Sequence, residues 1–361
     1  MKKQTLWLRD EARKTERRTP LLPDGARALM DAGFNVVVEK SAKRIITDAL
    51  YENAGCTMAE PGAWVDAPKD AVILGLKELP EQPETLKHSH IYFAHAYKCQ
   101  SGWQHTLNRF LKGGGSLLDI EYMTDETGRR VAAFGYWAGY MGAALALLQW
   151  YDRKAGRASY IMDGLKPFES AKALDDLIQS RAQGIEKPKA LVIGASGRSG
   201  TGAAGILERH GIEVTRWGRK ETTELDRDAI LEHDILVNCA FVADHIPPFV
   251  RAEDLKAGVN LKVISDVSCD PFSDYNPLPL YNAPTSWTEP AITLDTDAGK
   301  VDLIAIDNLP SLLPTEASIE FAGMMLPHLL ALKIRGDSTV WKACDAAFQR
   351  ACAKMTERKA S

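Results

Sequence analysis

The stretch Ala190-Leu-Val-Ile-Gly194-Ala-Ser-Gly197-Arg-Ser-Gly200 decides the fold. An apolar run leads into three glycines, and residues 199–210 continue with helical spacing. Glycines at these points let the backbone turn tightly and approach a pyrophosphate. The following helix then presents free N–H groups and its positive end to that anion. The spacing at Gly194, Gly197 and Gly200 is Gly-x-x-Gly-x-x-Gly, a variant of the more familiar Gly-x-Gly-x-x-Gly. A glycine pattern alone is weak evidence. Here the strand before it and the helix after it supply the required context. The alternative is a turn with a structural role only.

The next strand, predicted over 213–217, should choose the dinucleotide. A carboxylate at its end binds the adenosine ribose 2′-OH and repels a 2′-phosphate, whereas an arginine accepts that phosphate. The sequence there is Arg216-Trp217-Gly218-Arg219-Lys220. No acid stands at Gly218 and two cations follow, so NADP is favoured over NAD. Two alternatives stay open. Arg219 and Lys220 could be solvated turn residues, and Glu221 or Asp226 could supply the acid if the strand ends elsewhere.

Working outward, further buried strands are predicted at 190–193, 235–239, 262–266 and 301–306. The first third of the chain alternates in the same way. Strands are predicted at 6–9, 34–39, 71–77, 91–95 and 116–123, with helices at 23–33, 48–55 and 103–112. A long helix over 135–154, rich in small residues, is expected to link two domains. Helices at 171–183, 311–334 and 340–355 complete the chain. This alternation predicts an α/β protein with mostly parallel sheets. The expected domains are 1–134 with 317–361, and 135–316.

Composition narrows the function classes. The 361 residues suit two domains, and 45% hydrophobic with 25% charged residues is ordinary for a globular enzyme. The net charge is −4 without runs of like charge, so neither a nucleic-acid stripe nor a membrane-seeking basic face is expected. No secretory signal is read, because Arg9, Asp10, Glu11 and Arg13 interrupt the N-terminus. No stretch is read as reaching the roughly 18 apolar residues that span a bilayer. The six cysteines form no Cys-x-x-Cys pair and no zinc spacing, so free thiols in the cytoplasm and no metal are expected.

Several polar residues stand where apolar strands end, the usual place for an α/β site. Lys77 ends one strand, and partial desolvation there suits proton transfer. His95 ends another and can titrate near neutral pH. Lys98 follows it. Arg18 comes after the first strand, Glu121 lies in Leu118-Asp119-Ile120-Glu121-Tyr122, and Arg129-Arg130 stand ahead of Val131. Singly, each is ordinary. Together they place several cations beside two proton carriers, which suits a substrate with more than one carboxylate.

These residues bring a resemblance with them. The chain resembles the lysine-forming saccharopine dehydrogenases over nearly its whole length. The landmarks are Glu16 with Arg18, Gly75-Leu-Lys77-Glu-Leu-Pro80, Phe93-Ala-His95-Ala-Tyr-Lys98 and Gly128-Arg-Arg-Val-Ala-Ala-Phe-Gly135. Further landmarks are Ile193-Gly-Ala-Ser-Gly-Arg198, Asp266-Val-Ser268 and Ile306-Asp307-Asn-Leu-Pro-Ser-Leu-Leu-Pro314. More distantly the plan is similar to alanine dehydrogenase and the transhydrogenase nucleotide domain.

The resemblance implies two Rossmann-like doubly wound domains with the active cleft between them. It implies Lys77 and His95 as the acid–base pair. Arg18, Lys98, Glu121, Arg130 and Phe134 would surround the substrate. Arg198, Ser199, Val267, Ile306, Asp307, Asn308 and Leu309 would contact the dinucleotide, with the glycines and Gly218-Arg219 read above. It implies saccharopine, lysine and 2-oxoglutarate as partners, and a monomer. NAD-using members carry an aspartate where this chain has Gly218, which puts NAD preference in doubt. Ser199 replaces a cysteine of some members, so no redox pairing with Cys239 is expected. Two rival readings are another amino-acid or opine-type dehydrogenase on the same fold, and a non-catalytic dinucleotide-binding sensor.

Overall fold

The computed structural model describes residues 3–97, 102–242 and 244–360, with side chains described through Met355 at the C-terminal end. The chain divides into two compact units, Met1–Ala133 with Ala317–Ser361, and Phe134–Glu316.

The first unit is built on β1 (Thr5–Leu8), α1 (Pro23–Asp31), β2 (Asn35–Glu39), α2 (Asp48–Asn53), β3 (Thr57–Ala59), β4 (Val72–Leu74), β5 (Ser89–Tyr92), α3 (Trp103–Gly113) and β6 (Ser116–Asp119). Its strands are all parallel, in the order β3-β2-β1-β4-β5-β6. That is a doubly wound sheet whose winding reverses between β1 and β4. Buried runs such as Val36-Val37-Val38 and Val72-Ile73-Leu74 are what a sheet covered on both faces requires.

Three strands end earlier than their apolar runs suggest, each for a local reason. The expected 71–77 strand stops at Leu74, because the Leu76 and Lys77 N–H groups turn to the Glu11 carboxylate. The 91–95 strand stops at Tyr92, and His95 adopts a left-handed φ of 51°. The 116–123 strand stops at Asp119, whose carboxylate accepts the Glu121 N–H and caps a 3-10 turn over Ile120–Tyr122. All three lie at the strands' C-terminal ends. β3 was not predicted; with three residues and only partial burial it carries little periodic signal.

The second unit contains α4 (Gly135–Lys154), α5 (Ala171–Ala182), β7 (Lys189–Ile193), α6 (Arg198–Arg209), β8 (Glu213–Trp217), the short α7 (Arg219–Thr223) and α8 (Arg227–Leu231), then β9 (Ile235–Asn238), β10 (Val263–Asp266), β11 (Ile292–Thr296) and β12 (Gly299–Ile304). The sheet order is β11-β12-β10-β9-β7-β8, parallel except for β11 against β12. The reversal here falls between β7 and β9.

The expected linking role of residues 135–154 is corrected. As α4, they lie wholly within the second unit, with 139–152 buried. Small residues matter here because α4 and α6 touch backbone to backbone. A Cβ at Gly139 would strike the Ser199 backbone, and one at Gly202 would strike the Tyr136 backbone.

The C-terminal helices return to the first unit as α9 (Pro314–Leu330) and α10 (Thr339–Ala360). In α9, Ala317, Phe321, Met325 and Leu329 recur every four residues and are fully buried, while Ile319 is exposed. By length and composition, Pro314–Ile334 is apolar enough to cross a bilayer. This corrects the expectation that no stretch is: Thr315, Glu316, Ser318 and Glu320 interrupt the apolar run without lowering its average enough. α10 packs on β6 and α3, with the Phe348 and Phe110 rings 6.0 Å apart.

Candidate active site

Parallel strands deliver their C-terminal ends to one edge of the sheet, so consecutive neighbours β1, β4, β5 and β6 bring their following loops together. Arg9 and Glu11 follow β1, Lys77 follows β4, His95 follows β5, and Glu121 follows β6. Main-chain hydrogen bonds continue across these loops. Arg9 N–H donates to Leu74 C=O at 3.0 Å, and Phe93 N–H to Leu76 C=O at 3.0 Å.

Two charged groups form along this edge. In the first, Arg18 donates through Nε and Nη2 to the two Glu16 oxygens at 2.8 and 2.6 Å, and its own N–H donates to Glu16 at 2.9 Å. Both side chains are almost wholly buried, at 3% and 0% exposure, so Arg18 is not the spare cation its position suggested. Burial raises the proton affinity of Glu16. The Arg18 charge and hydrogen bonds outweigh it, aided by the Lys77 charge, and hold the carboxyl below its ordinary value. Lys77 itself is half-buried.

In the second group, His95 Nδ1 lies 3.7 Å from Glu121, and Arg130 lies 3.8 Å from the other Glu121 oxygen. His95 and Arg130 are about half exposed and Glu121 only 12%. Glu121 thus sits beneath two groups that reach outward, one able to carry a proton and one a permanent cation. The Phe93 ring stacks near His95 at 6.5 Å. Lys98 lies outside the described residues, and Phe134 is the half-buried N-cap of α4 in the second unit.

Asp119 lies behind the second group and was not anticipated. It is fully buried, and its Oδ2 accepts no hydrogen bond among the described residues. Burial, reinforced by the Glu121 charge, lifts its carboxyl from 3.8 to about 6, against the pull of the Glu121 and Ala94 N–H groups and His95. Glu11 and Arg9 were also missed. In sequence they read only as charges interrupting the N-terminus, whereas the turn after β1 folds them inward.

The glycine loop of the second unit turns tightly and packs backbone against backbone. Gly194 follows β7 with φ 77°, and a Cβ there would meet the Cys239 and Ala240 backbone. Gly197 is the N-cap of α6, and a Cβ at Gly200 would strike Gly194. Arg198 and Ser199 form the first turn of that helix, half-buried, with N–H groups that have no partner inside the helix. Val267, just past β10, is half-buried. Of the expected 306–309 segment, Ile306, Asn308 and Leu309 are buried and only Asp307 is exposed. Asn308 donates to the Ser311 hydroxyl at 2.7 Å. Cys239 is a free thiol that burial pushes well above its usual range.

β8 ends at Trp217, where it was predicted to. Gly218 follows as the N-cap of α7, and its N–H donates to Glu221 at 2.7 Å. Arg216 is paired with Glu208, while Arg219 and Lys220 are exposed.

With this geometry in place, comparison with known proteins is decisive. Residues 7–141 match the family model for the alanine dehydrogenase/PNT N-terminal domain. Over 98% of both chains, the protein is 41% identical to saccharopine dehydrogenase [NAD(+), L-lysine-forming] of Emericella nidulans. The enzyme of the same name from Schizosaccharomyces pombe is 40% identical, over 97% of this chain and 99% of its own. The chain belongs to the lysine-forming saccharopine dehydrogenase family. This makes it an oxidoreductase, and its two parallel-sheet units agree with solved structures of the wider fold. An L-alanine dehydrogenase superposes with a TM-score of 0.66 at 17% identity, covering 96% of this chain and 94% of its own. A transhydrogenase from Sinorhizobium meliloti gives 0.62 at 16% identity, covering 91% and 94%. Those two likenesses speak for fold alone.

Proposed function

We propose that the chain interconverts saccharopine with lysine and 2-oxoglutarate, using a nicotinamide dinucleotide. The observation that carries this reading is the row of strand ends in the first unit, where acid–base groups and carboxylate-binding cations stand on neighbouring loops. The dinucleotide, when bound, supplies the hydride acceptor. Its pyrophosphate would be held by the Gly194–Gly200 turn and the first turn of α6, with Arg198 and Ser199 beside it.

In the oxidative direction the secondary amine of saccharopine must be neutral before the glutamyl α-carbon gives up hydride. Lys77 or His95 takes that proton. The resulting substrate imine is attacked by water, which loses one proton to a base and forms a carbinolamine. Protonation of the carbinolamine nitrogen, with loss of the hydroxyl proton to a base as the carbonyl forms, then breaks the C–N bond, releasing lysine and leaving 2-oxoglutarate. Glu121 lies 3.7 Å from His95, close enough to orient an imidazole that must both accept and return a proton. Arg130 offers a partner to a substrate carboxylate. Arg18 contributes its field through the pair with Glu16.

For the dinucleotide we propose NADP over NAD. Gly218 puts no carboxylate at the end of β8, the Glu221 carboxylate is taken up in capping Gly218, and Arg219 and Lys220 are exposed to meet a phosphate. We further propose a monomer in the cytoplasm. The free thiols of Cys56, Cys239, Cys269, Cys344 and Cys352 fit a reducing compartment.

Absorbance at the nicotinamide band tests the reading, with lysine, 2-oxoglutarate and either NADH or NADPH. Lysine-dependent loss of signal is expected, faster with NADPH. No loss with either cofactor in folded protein removes the substrate assignment. Lys77→Met and His95→Gln should each lower kcat by about 100- to 10,000-fold. A loss below about threefold for both removes them from proton transfer.

A further inference from the structure

Lys77 sits on a turn held by a charged clamp from the loop after β1. The Glu11 carboxylate receives two successive main-chain donors, Leu76 N–H at 2.7 Å on one oxygen and Lys77 N–H at 3.0 Å on the other. Arg9 completes the clamp. Its guanidinium lies 3.3 Å from Glu11, donates to Asp10 C=O at 3.1 Å, and donates through Nη2 to the carbonyl of Lys77 itself. The turn is thus gripped at both its N–H and C=O groups by buried side chains, 2% exposed at Arg9 and 7% at Glu11.

The clamp is packed closely against its neighbours. A Cβ on Gly75 would strike the Arg9 guanidinium, so a side chain at position 75 would push that guanidinium from its place. Gly75 does not have a left-handed φ, so this is a matter of space and not of backbone strain. Arg9 also lies 5.9 Å from the Tyr92 ring centroid, which closes the other side. Burial, with the Glu16 charge, raises the proton affinity of Glu11 despite Arg9 and the two N–H groups. A carboxyl kept in such a place against its solvation is expected to have a purpose beyond surface charge.

We infer that Glu11, with Arg9, is the positioning pair for Lys77, fixing where its amine stands along the edge of the sheet. This rests on the reading of Lys77 as a proton carrier. Neither clamp residue needs to touch substrate. Their effect runs through the Lys77 main chain, and the geometric tolerance of proton transfer makes it felt. A misplacement of about 1 Å can cost about 100-fold.

The experiment is a double-mutant cycle with a separate readout of position. Glu11→Gln keeps the size of the side chain but turns an NH₂ toward one of the two N–H donors. Gly75→Ala disturbs Arg9 without removing any polar group. Each should lower kcat about 10- to 100-fold, with KM for lysine and the dinucleotide Kd changed less than about threefold. In a Lys77→Met background Glu11→Gln should cost less than about twofold, because the group it positions is gone. The position of the amine is read independently from the rate at which acetic anhydride modifies Lys77, followed by mass spectrometry. That rate should change at least about threefold in Glu11→Gln and Gly75→Ala, while Lys69 and Lys87 keep theirs.

Equal losses from Glu11→Gln in both backgrounds overturn the inference, because a general structural defect would act without Lys77. Unchanged Lys77 labelling in folded Glu11→Gln and Gly75→Ala also overturns it. If Lys77→Met retains activity but Lys77 labelling responds to both variants, positioning stands and the proton-transfer role of Lys77 falls.

Discussion

Asp119→Asn should stabilise the protein at pH 8 and destabilise it near pH 4.5. The folded carboxyl titrates near 6 instead of 3.8, chiefly because it is buried and secondarily because Glu121 lies beside it. That difference corresponds to about 3 kcal/mol. The sign follows from which state holds the proton more tightly. Below 3.8 both folded and unfolded chains are protonated there, and no penalty exists. As pH rises toward 6 the unfolded chain ionises first, so stability falls. Above 6 the full penalty of about 3 kcal/mol persists. Asparagine never ionises and escapes it. The amide keeps an oxygen for the Glu121 N–H, a 3.0 Å bond in the wild type. Its NH₂ would replace Oδ2, which has no hydrogen-bond partner among the described residues, and that costs about 1–2 kcal/mol. The net gain is about 1–2 kcal/mol at pH 8; near pH 4.5, where the wild-type penalty has shrunk to about 1 kcal/mol, it turns to a loss of up to about 1 kcal/mol. Besides Glu121 and His95, the groups facing Asp119 are Tyr92, Tyr97, Tyr122 and Cys344, and burial raises all four above their usual ranges, so they stay neutral across this window. Urea midpoints at pH 4.5, 6 and 8, with an unchanged m-value, measure the difference. A difference of constant sign across that range would refute the reasoning, because it would mean that Asp119 does not titrate there.

Gly218→Asp with Arg219→Ile should shift the NADPH-to-NADH ratio of kcat/KM at least about tenfold toward NADH, since the new acid repels a 2′-phosphate. An unchanged ratio would mean that the ribose does not lie against the end of β8. His90 is fully buried among Trp64, His88, Tyr92 and Phe110, with neither ring nitrogen hydrogen-bonded among the described residues. Burial first, then the charges of Arg9, His88 and Arg109, hold it well below 6.5. Stability from this site is therefore present above 6.5 and lost as pH falls below it. His90→Phe should lessen the loss between pH 7 and 5, read from thermal midpoints. Asp302 is fully buried and accepts from Gln149 at 2.6 Å, Arg153 Nε at 2.9 Å and Thr293 at 2.7 Å. Asp302→Ala should cost about 3 kcal/mol in urea unfolding, at the low end for a broken pair because Arg153 is 27% exposed. A loss under about 1 kcal/mol would show that water replaces the carboxylate.

The two units and most of their elements were legible in the chain because they depend on short-range regularities. The run at 190–193 followed by Gly194, Gly197 and Gly200 places a strand, a turn and a helix within a dozen residues, and the 135–154 helix coincides with α4. The end of β8 was equally legible, so the missing acid at Gly218 could be read directly. The candidate proton carriers Lys77 and His95 were visible because strand ends are marked by the last apolar residue. Their supports were not. Glu11 is 66 residues from Lys77, and in sequence it looks like any solvated acid. Asp119 reads as an interior strand residue, yet its carboxylate ends that strand.

What the sequence by itself determined is the parallel α/β plan, the strand–glycine-turn–helix at 190–200 and which strand ends carry candidate proton carriers. Each rests on periodicity or on the chemistry of single side chains. Only the tertiary structure decided which charges are spent. Arg18 and Glu16 neutralise each other in the interior, Glu11 is a main-chain clamp, and Asp119 is a buried acid with a proton to lose near pH 6. The physical reason is that charge and hydrogen-bonding capacity are satisfied through space. A residue's partners, and the burial that sets the cost of its charge, come from neighbours that the linear order does not bring together.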